Sequence, residues 1–98
     1  NGGVKLGYSA LLAWKQAHPE EARTVPGFTD DKLFFLAYAQ GWCSKETPEF
    51  DEMLARTNPH SPPRWRVNGP MIDNATFAAA YACKAGAPMN PGKSCSVW

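Results

Sequence analysis

From Leu33 to Trp42 the chain reads Leu33-Phe34-Phe35-Leu36-Ala37-Tyr38-Ala39-Gln40-Gly41-Trp42, with almost no polar side chain. Wound as a helix, such a segment is apolar nearly all round, and a helix of that kind is central and buried. Thr29 and Asp30 are candidate N-caps, and Asp30 and Asp31 suit the positive end of a helix over about 31–42. A chain of 98 residues is at most one domain and offers few layers to surround such a helix. The segment therefore predicts a fold completed by protein beyond this chain.

Other stretches also read as helices. Val4, Tyr8, Leu11, Leu12 and Lys15 recur at helical spacing and predict a helix over 4–17, stopped by His18-Pro19. His18 reads as a helix-end residue rather than a ligand. Pro26-Gly27 marks a turn. Thr47-Pro48-Glu49 opens a short helix to about residue 55. Trp65-Arg66-Val67-Asn68 reads as a short extended piece ended by Gly69-Pro70. Asp73 or Asn74 caps a last helix over about 76–83, and a Gly/Pro-rich loop follows Lys84. The expected class is mainly α, helices with long ordered loops. Asn74-Ala75-Thr76 is a glycosylation acceptor pattern, and a helix cap accounts for the same residues.

Thr57-Asn58-Pro59-His60-Ser61-Pro62-Pro63-Arg64-Trp65-Arg66 sets one histidine and two arginines among three prolines that follow one another closely. The segment reads as too Pro-rich for a helix. A stiff loop can hold an imidazole and a guanidinium at a fixed separation, which suits recognition of a carbonyl or a carboxylate. No nucleophile stands beside it. It reads as part of a site whose remainder lies elsewhere.

Composition excludes several classes of function. The formal net charge is +1, far from the basic field that nucleic acid requires. The longest apolar run, around Leu33 to Ala39, is less than half of a membrane span. The start Asn1-Gly2-Gly3 carries no Met and no signal peptide, and suggests a processed or excised piece. Cys43, Cys83 and Cys95 cannot all pair within one copy, and none forms a Cys-x-x-Cys unit. With His18 and His60 far from them in sequence, no metal site is expected within this chain. Either the three are buried free thiols, or they bond to cysteines on another segment. The loop-rich surroundings of Cys83 and Cys95, typical of extracellular chains, favour the second.

Taken together, several motifs resemble the C-terminal end of the zinc metallopeptidases of the neprilysin and endothelin-converting enzyme type. They are Asn1-Gly2-Gly3, the run from Leu33 through Trp42 to Cys43, Pro59-His60-Ser61-Pro62 followed by Arg66, Met89-Asn90-Pro91, and Cys95-Ser96-Val97-Trp98. Their order and spacing carry the resemblance across essentially the whole chain. The resemblance implies a portion of a larger thermolysin-like catalytic domain, ending at Trp98. The family's zinc-binding helices would lie upstream of Asn1, so zinc would belong to the full-length enzyme and this chain alone would bind none. It further implies that His60 donates to the oxyanion of the tetrahedral intermediate and Arg66 binds a backbone carbonyl of the substrate, with Arg64 the competing candidate. Trp42 and the neighbouring Gly41 would line the pocket for a large apolar side chain on the primed side. Cys43, Cys83 and Cys95 would pair with upstream cysteines, as in the family's extracellular members.

The expected function is then that of a segment of a zinc metalloendopeptidase that cuts peptides on the amino side of large apolar residues. It would be secreted, or the ectodomain of a protein anchored through an N-terminal segment outside this chain. Its partners would be a peptide and the upstream part of the same polypeptide, and the isolated chain would be inactive. Two positions depart from the family pattern. Gly41 stands where the family usually has Val, which would widen the pocket. Asn58 stands where it often has Asp, which leaves the charge of His60 open. These departures support an alternative, a non-catalytic binding or interaction module derived from the same family.

Overall fold

The computed structural model describes residues 2–21, 25–93 and 95. Asn1 of the opening motif and Ser96, Val97 and Trp98 of the closing one lie outside the described residues. Five helices account for most of the described chain: α1 Gly2–Ala17, α2 Asp30–Gln40, α3 Pro48–Thr57, α4 Pro63–Ile72 and α5 Ala75–Ala80. A single 3-10 turn, Pro19–Glu21, follows α1. No strand occurs among the described residues, only two isolated bridges in turns. The class is mainly α, as expected.

Capping chemistry sets the helix starts. Thr29 accepts from the Lys32 N–H at 3.3 Å at the head of α2, with Asp30 and Asp31 in its first turn. Thr47 accepts from the Phe50 N–H at 3.3 Å at the head of α3, with Pro48 in the first turn. Asn74 Oδ1 accepts from the N–H groups of Thr76 and Phe77, at 3.0 and 3.1 Å, at the head of α5. Losing such a cap costs about 1 kcal/mol. Asn74 is 4% exposed and its Nδ2 is buried. The cap is thus the role this fold gives Asn74, and a glycan on that nitrogen would have to displace the packing around it.

The largest departure from the sequence reading is α4. Residues 65–68, expected extended, are helical, and Gly69-Pro70 lies inside the helix rather than ending it. The proline signals misled for two reasons. Pro63 sits in the first turn, where the missing N–H has no intrahelical partner to lose. Gly69 has no Cβ to meet the ring of Pro70, which lowers the usual penalty for a helical residue before proline. Only residues 58–62 of the Pro-rich segment remain irregular.

α5 is shorter than expected, and its end is well defined. Ala82 takes a left-handed φ of 50°. The Cys83 N–H then reaches the Ala78 carbonyl at 2.9 Å, and the Ala82 N–H reaches that of Ala79 at 3.1 Å. This is a Schellman closure built on Ala where Gly is usual, at a steric cost of roughly 1–2 kcal/mol.

Val4, Phe35 and Met71 form the buried centre, with Tyr8, Tyr38, Val67, Phe77 and Met89 packed around them. The Phe35 ring stacks on Tyr8 at 5.6 Å and meets Phe77 edge-on at 5.4 Å. The Tyr81 hydroxyl donates to the Lys32 carbonyl at 3.0 Å and ties the end of α5 to the start of α2. The loop after α5 is ordered by Asn90, whose side chain donates to the Cys83 carbonyl at 2.9 Å. The Cys95 N–H donates to Asp73 Oδ1 at 3.1 Å and ties Cys95 to the α4–α5 corner.

The central helix is covered on one side only. Phe35 is 1% exposed, while Leu33, Phe34 and Leu36 remain half-buried. Leu6, Met53 and Trp65 are 73%, 48% and 55% exposed. The accessible surface of 7370 Å² exceeds the ~5,500 Å² usual for a compact monomer of this mass. The radius of gyration, 15.7 Å, likewise exceeds the ~13 Å of a compact domain of this length. These helices leave much of their apolar surface unmatched by one another.

Candidate functional site

Trp42, His60 and Arg66 line one open cleft of about 1050 Å³. Three local features bring them there. Trp42 follows α2 directly, held by a bond from its N–H to the Ala39 carbonyl at 3.0 Å. His60 lies on the irregular connection between α3 and α4. Its backbone N–H donates to Asn58 Oδ1 at 3.0 Å, a side-chain turn that fixes the loop just ahead of the Pro62-Pro63 pair. Arg66 sits in the first turns of α4, whose opening is fixed by the Pro62 carbonyl accepting from the Trp65 and Arg66 N–H groups at 2.9 and 3.2 Å.

The Arg66 guanidinium lies over the Trp42 ring, 4.7 Å from its centroid. Its Nε donates to the Ser61 carbonyl at 3.0 Å. Those two contacts leave the terminal nitrogens of Arg66 without a hydrogen bond to any described residue. Arg64 differs: it is exposed, and its guanidinium lies 5.5 Å from the ring of the equally exposed Trp65. Of the two arginines, Arg66 is the one held in a fixed place. The His60 side chain is exposed.

The expected roles of two neighbours change in the structure. Asn58 addresses the backbone of His60 rather than its ring, and an Asp there would offer the same acceptor. Gly41 is absent from the cleft lining. Its φ of −61° suits any residue, and a Cβ would meet the Tyr38 carbonyl oxygen at an ordinary 3.5 Å. A larger side chain would fit without strain, so Gly41 is not required by the backbone.

Acidic residues also border the cleft: Glu46, Asp51 and Glu52. A hydrogen bond shared with Asp51 raises the Glu46 pKa above its ordinary value, with desolvation adding to the effect. A carboxyl raised in the folded state favours folding while it keeps its proton. This small, solvent-screened contribution is lost as pH rises through the raised Glu46 value. The reading of the sequence passed over these carboxylates. It also passed over Tyr38, whose hydroxyl donates to the Arg66 carbonyl at 2.9 Å. The signal available for Tyr38 was its position one helical turn before Trp42.

A second, more apolar groove of about 610 Å³ runs between α1 and α2, lined in part by Leu11, Trp14, Leu33 and Phe34. A Lys15–Asp30 ion pair at 3.0 Å closes one side. His18 lies there too, but its ring stacks on Trp14 at 4.8 Å and its Nδ1 is 2.9 Å from the Trp14 carbonyl oxygen. It serves as the helix-end residue expected. The cleft at Trp42, with its convergent polar groups, is the better candidate for chemistry.

The profile of peptidase family M13 matches residues 1–97. The chain belongs to peptidase family M13. M13 relatives include Neprilysin-1 of Caenorhabditis elegans, 43% identical across all of this chain and 13% of its own length. An endothelin-converting enzyme homolog of Locusta migratoria is 42% identical, again over the whole chain and 14% of its length. Endothelin-converting enzyme 1 of Cavia porcellus is 43% identical over the whole chain and 13% of its length. The chain thus spans about one-seventh of the M13 relatives it matches.

Among the described residues, no group of three His, Cys, Asp or Glu side chains could hold a metal ion. No helix among the described residues is long and apolar enough to cross a membrane. Cys43 and Cys95 are exposed and Cys83 is half-buried, and none of the three is paired with another.

Proposed function

We propose that this chain is the substrate-holding part of the catalytic domain of a zinc-dependent metalloendopeptidase. The observation that carries the reading is the cleft shared by Trp42, His60 and Arg66, in a chain of the M13 family. The zinc would be held by another part of the same polypeptide. His60 donates a hydrogen bond to the scissile carbonyl oxygen as negative charge develops on it. Arg66, fixed by Trp42 and Ser61, offers its terminal N–H groups to a backbone carbonyl of the bound peptide. A planar fork suits that task better than the point charge of a lysine. Trp42 and Val67 give the cleft an apolar wall, which favours cleavage on the amino side of a large apolar residue.

The decisive substitution is Arg66→Met, made in the whole protein. Losing hydrogen bonds to a charged group should raise KM for such peptides about 10- to 100-fold with little change in kcat. An unchanged KM would remove Arg66 from the reading. The isolated 98 residues are the control and should show no hydrolysis, with or without added zinc.

The exposed apolar side chains of α1, α3 and α4 support a setting within a larger domain. The three cysteines support an extracellular one, where each bonds to a cysteine elsewhere in the protein. Thiol counting on the unreduced whole protein should find Cys43, Cys83 and Cys95 all blocked. Free thiols at all three would contradict the pairing.

A further inference from the structure

Pro70 lies inside α4, four residues after Arg66. A proline has no N–H, so it cannot make the helical bond to the carbonyl four residues back, which here is the carbonyl of Arg66. That carbonyl is partly buried, and the hydroxyl of Tyr38 donates to it at 2.9 Å. A side chain of α2 thus replaces the donor that α4 lacks. Tyr38 stands one turn before Trp42, whose ring carries the guanidinium of the same arginine at 4.7 Å. Helix α2 and the turn that follows it therefore hold Arg66 twice, by its backbone and by its side chain.

We propose that Tyr38 is a positioning residue for substrate binding, acting through the Arg66 carbonyl that Pro70 leaves unserved. The proposal rests on the reading of Arg66 as the residue that holds the substrate backbone. Without the Tyr38 hydroxyl, the Arg66 carbonyl has no donor, the first turns of α4 shift, and the guanidinium no longer has a fixed place on Trp42. A buried carbonyl left without a donor is costly enough to shift the local backbone toward solvent. Pro70 by itself would be a defect in the helix. Paired with Tyr38, it leaves the Arg66 carbonyl with a donor and the first turns of α4 in place.

The test uses peptide hydrolysis by the whole protein, with KM and kcat measured separately. Tyr38→Phe keeps the ring and removes only the hydroxyl. It should raise KM about 2- to 10-fold, the worth of one hydrogen bond, and leave kcat nearly constant. Adding Pro70→Ala restores an N–H to α4, and in that double variant KM should return to within about twofold of its starting value. A raised KM that Pro70→Ala does not rescue overturns the role assigned to the carbonyl. A KM unmoved by Tyr38→Phe but raised by Arg66→Met overturns the role of Tyr38 and leaves that of Arg66 intact. A KM unmoved by Arg66→Met overturns both. Thermal unfolding of each variant separates these results from a general loss of stability, because Pro70→Ala should not lower the melting temperature.

Discussion

His60→Ala in the whole protein should lower kcat by about 10²- to 10³-fold, with KM changed far less. The expectation follows from where charge appears during amide cleavage. The substrate carbonyl is a weak acceptor, whereas the tetrahedral oxyanion is a strong one, so a donor aimed at that oxygen acts mainly in the transition state. Removing one such donor costs about 2.7–4 kcal/mol. In the proposed role the His60 imidazole is the donor: its side chain is exposed at the cleft while its backbone is fixed through Asn58. Steady-state kinetics with a peptide substrate decide the matter. Turnover unchanged by the substitution would show that His60 does no chemistry, and a rise in KM alone would make it a binding residue. Arg66→Met should show the opposite pattern, so the two substitutions check one another.

Phe35→Ala should destabilise the fold by about 3–5 kcal/mol, the usual cost of removing a buried aromatic ring. Phe35 is 1% exposed and meets rings from α1 and α5 as well as its own neighbour Phe34. Among the described apolar residues only Val4 and Met71 are buried with it, so the surrounding structure has little with which to refill the space. Native domains are stable by roughly 5–15 kcal/mol, and this loss is a large share of that. Denaturant unfolding followed by circular dichroism would measure it. A loss below about 1 kcal/mol would mean that α2 is held by something other than this contact. Because α2 also carries Tyr38 and leads into Trp42, the substitution should disturb the cleft even where the chain still folds.

Helix starts were legible because capping is local chemistry: Thr29, Thr47 and Asn74 each announce a helix within four residues of sequence. Helix α4 was not, because its two critical prolines act through position. Pro63 helps in a first turn where it would harm an interior. Pro70 is tolerated because a tyrosine from another helix, far away in sequence, serves the carbonyl it orphans. The early end of α5 was also hidden, since nothing in Ala82 foretells a left-handed backbone. Trp42, His60 and Arg66 stood out through their motifs and line one cleft, but the local contacts that place them were not legible. Asn58 was weighed for its charge and proves to fix the loop by accepting a backbone bond. Gly41 was weighed as pocket lining and lies outside the cleft.

The way Arg66 is anchored has an electrostatic consequence. Most fixed arginines are held by a carboxylate, which cancels their field. Here the anchors are a ring face and a peptide carbonyl, both uncharged, and no ion pair to Arg66 occurs among the described residues. No direct ion pair cancels its charge, which in the proposed role would help orient a carbonyl dipole. Its placement should also survive salt, since added ions screen exposed charge pairs and leave a stacked ring and a short hydrogen bond almost untouched. The grip on a peptide backbone should accordingly vary little with ionic strength, unlike that of a surface arginine steering an acidic ligand.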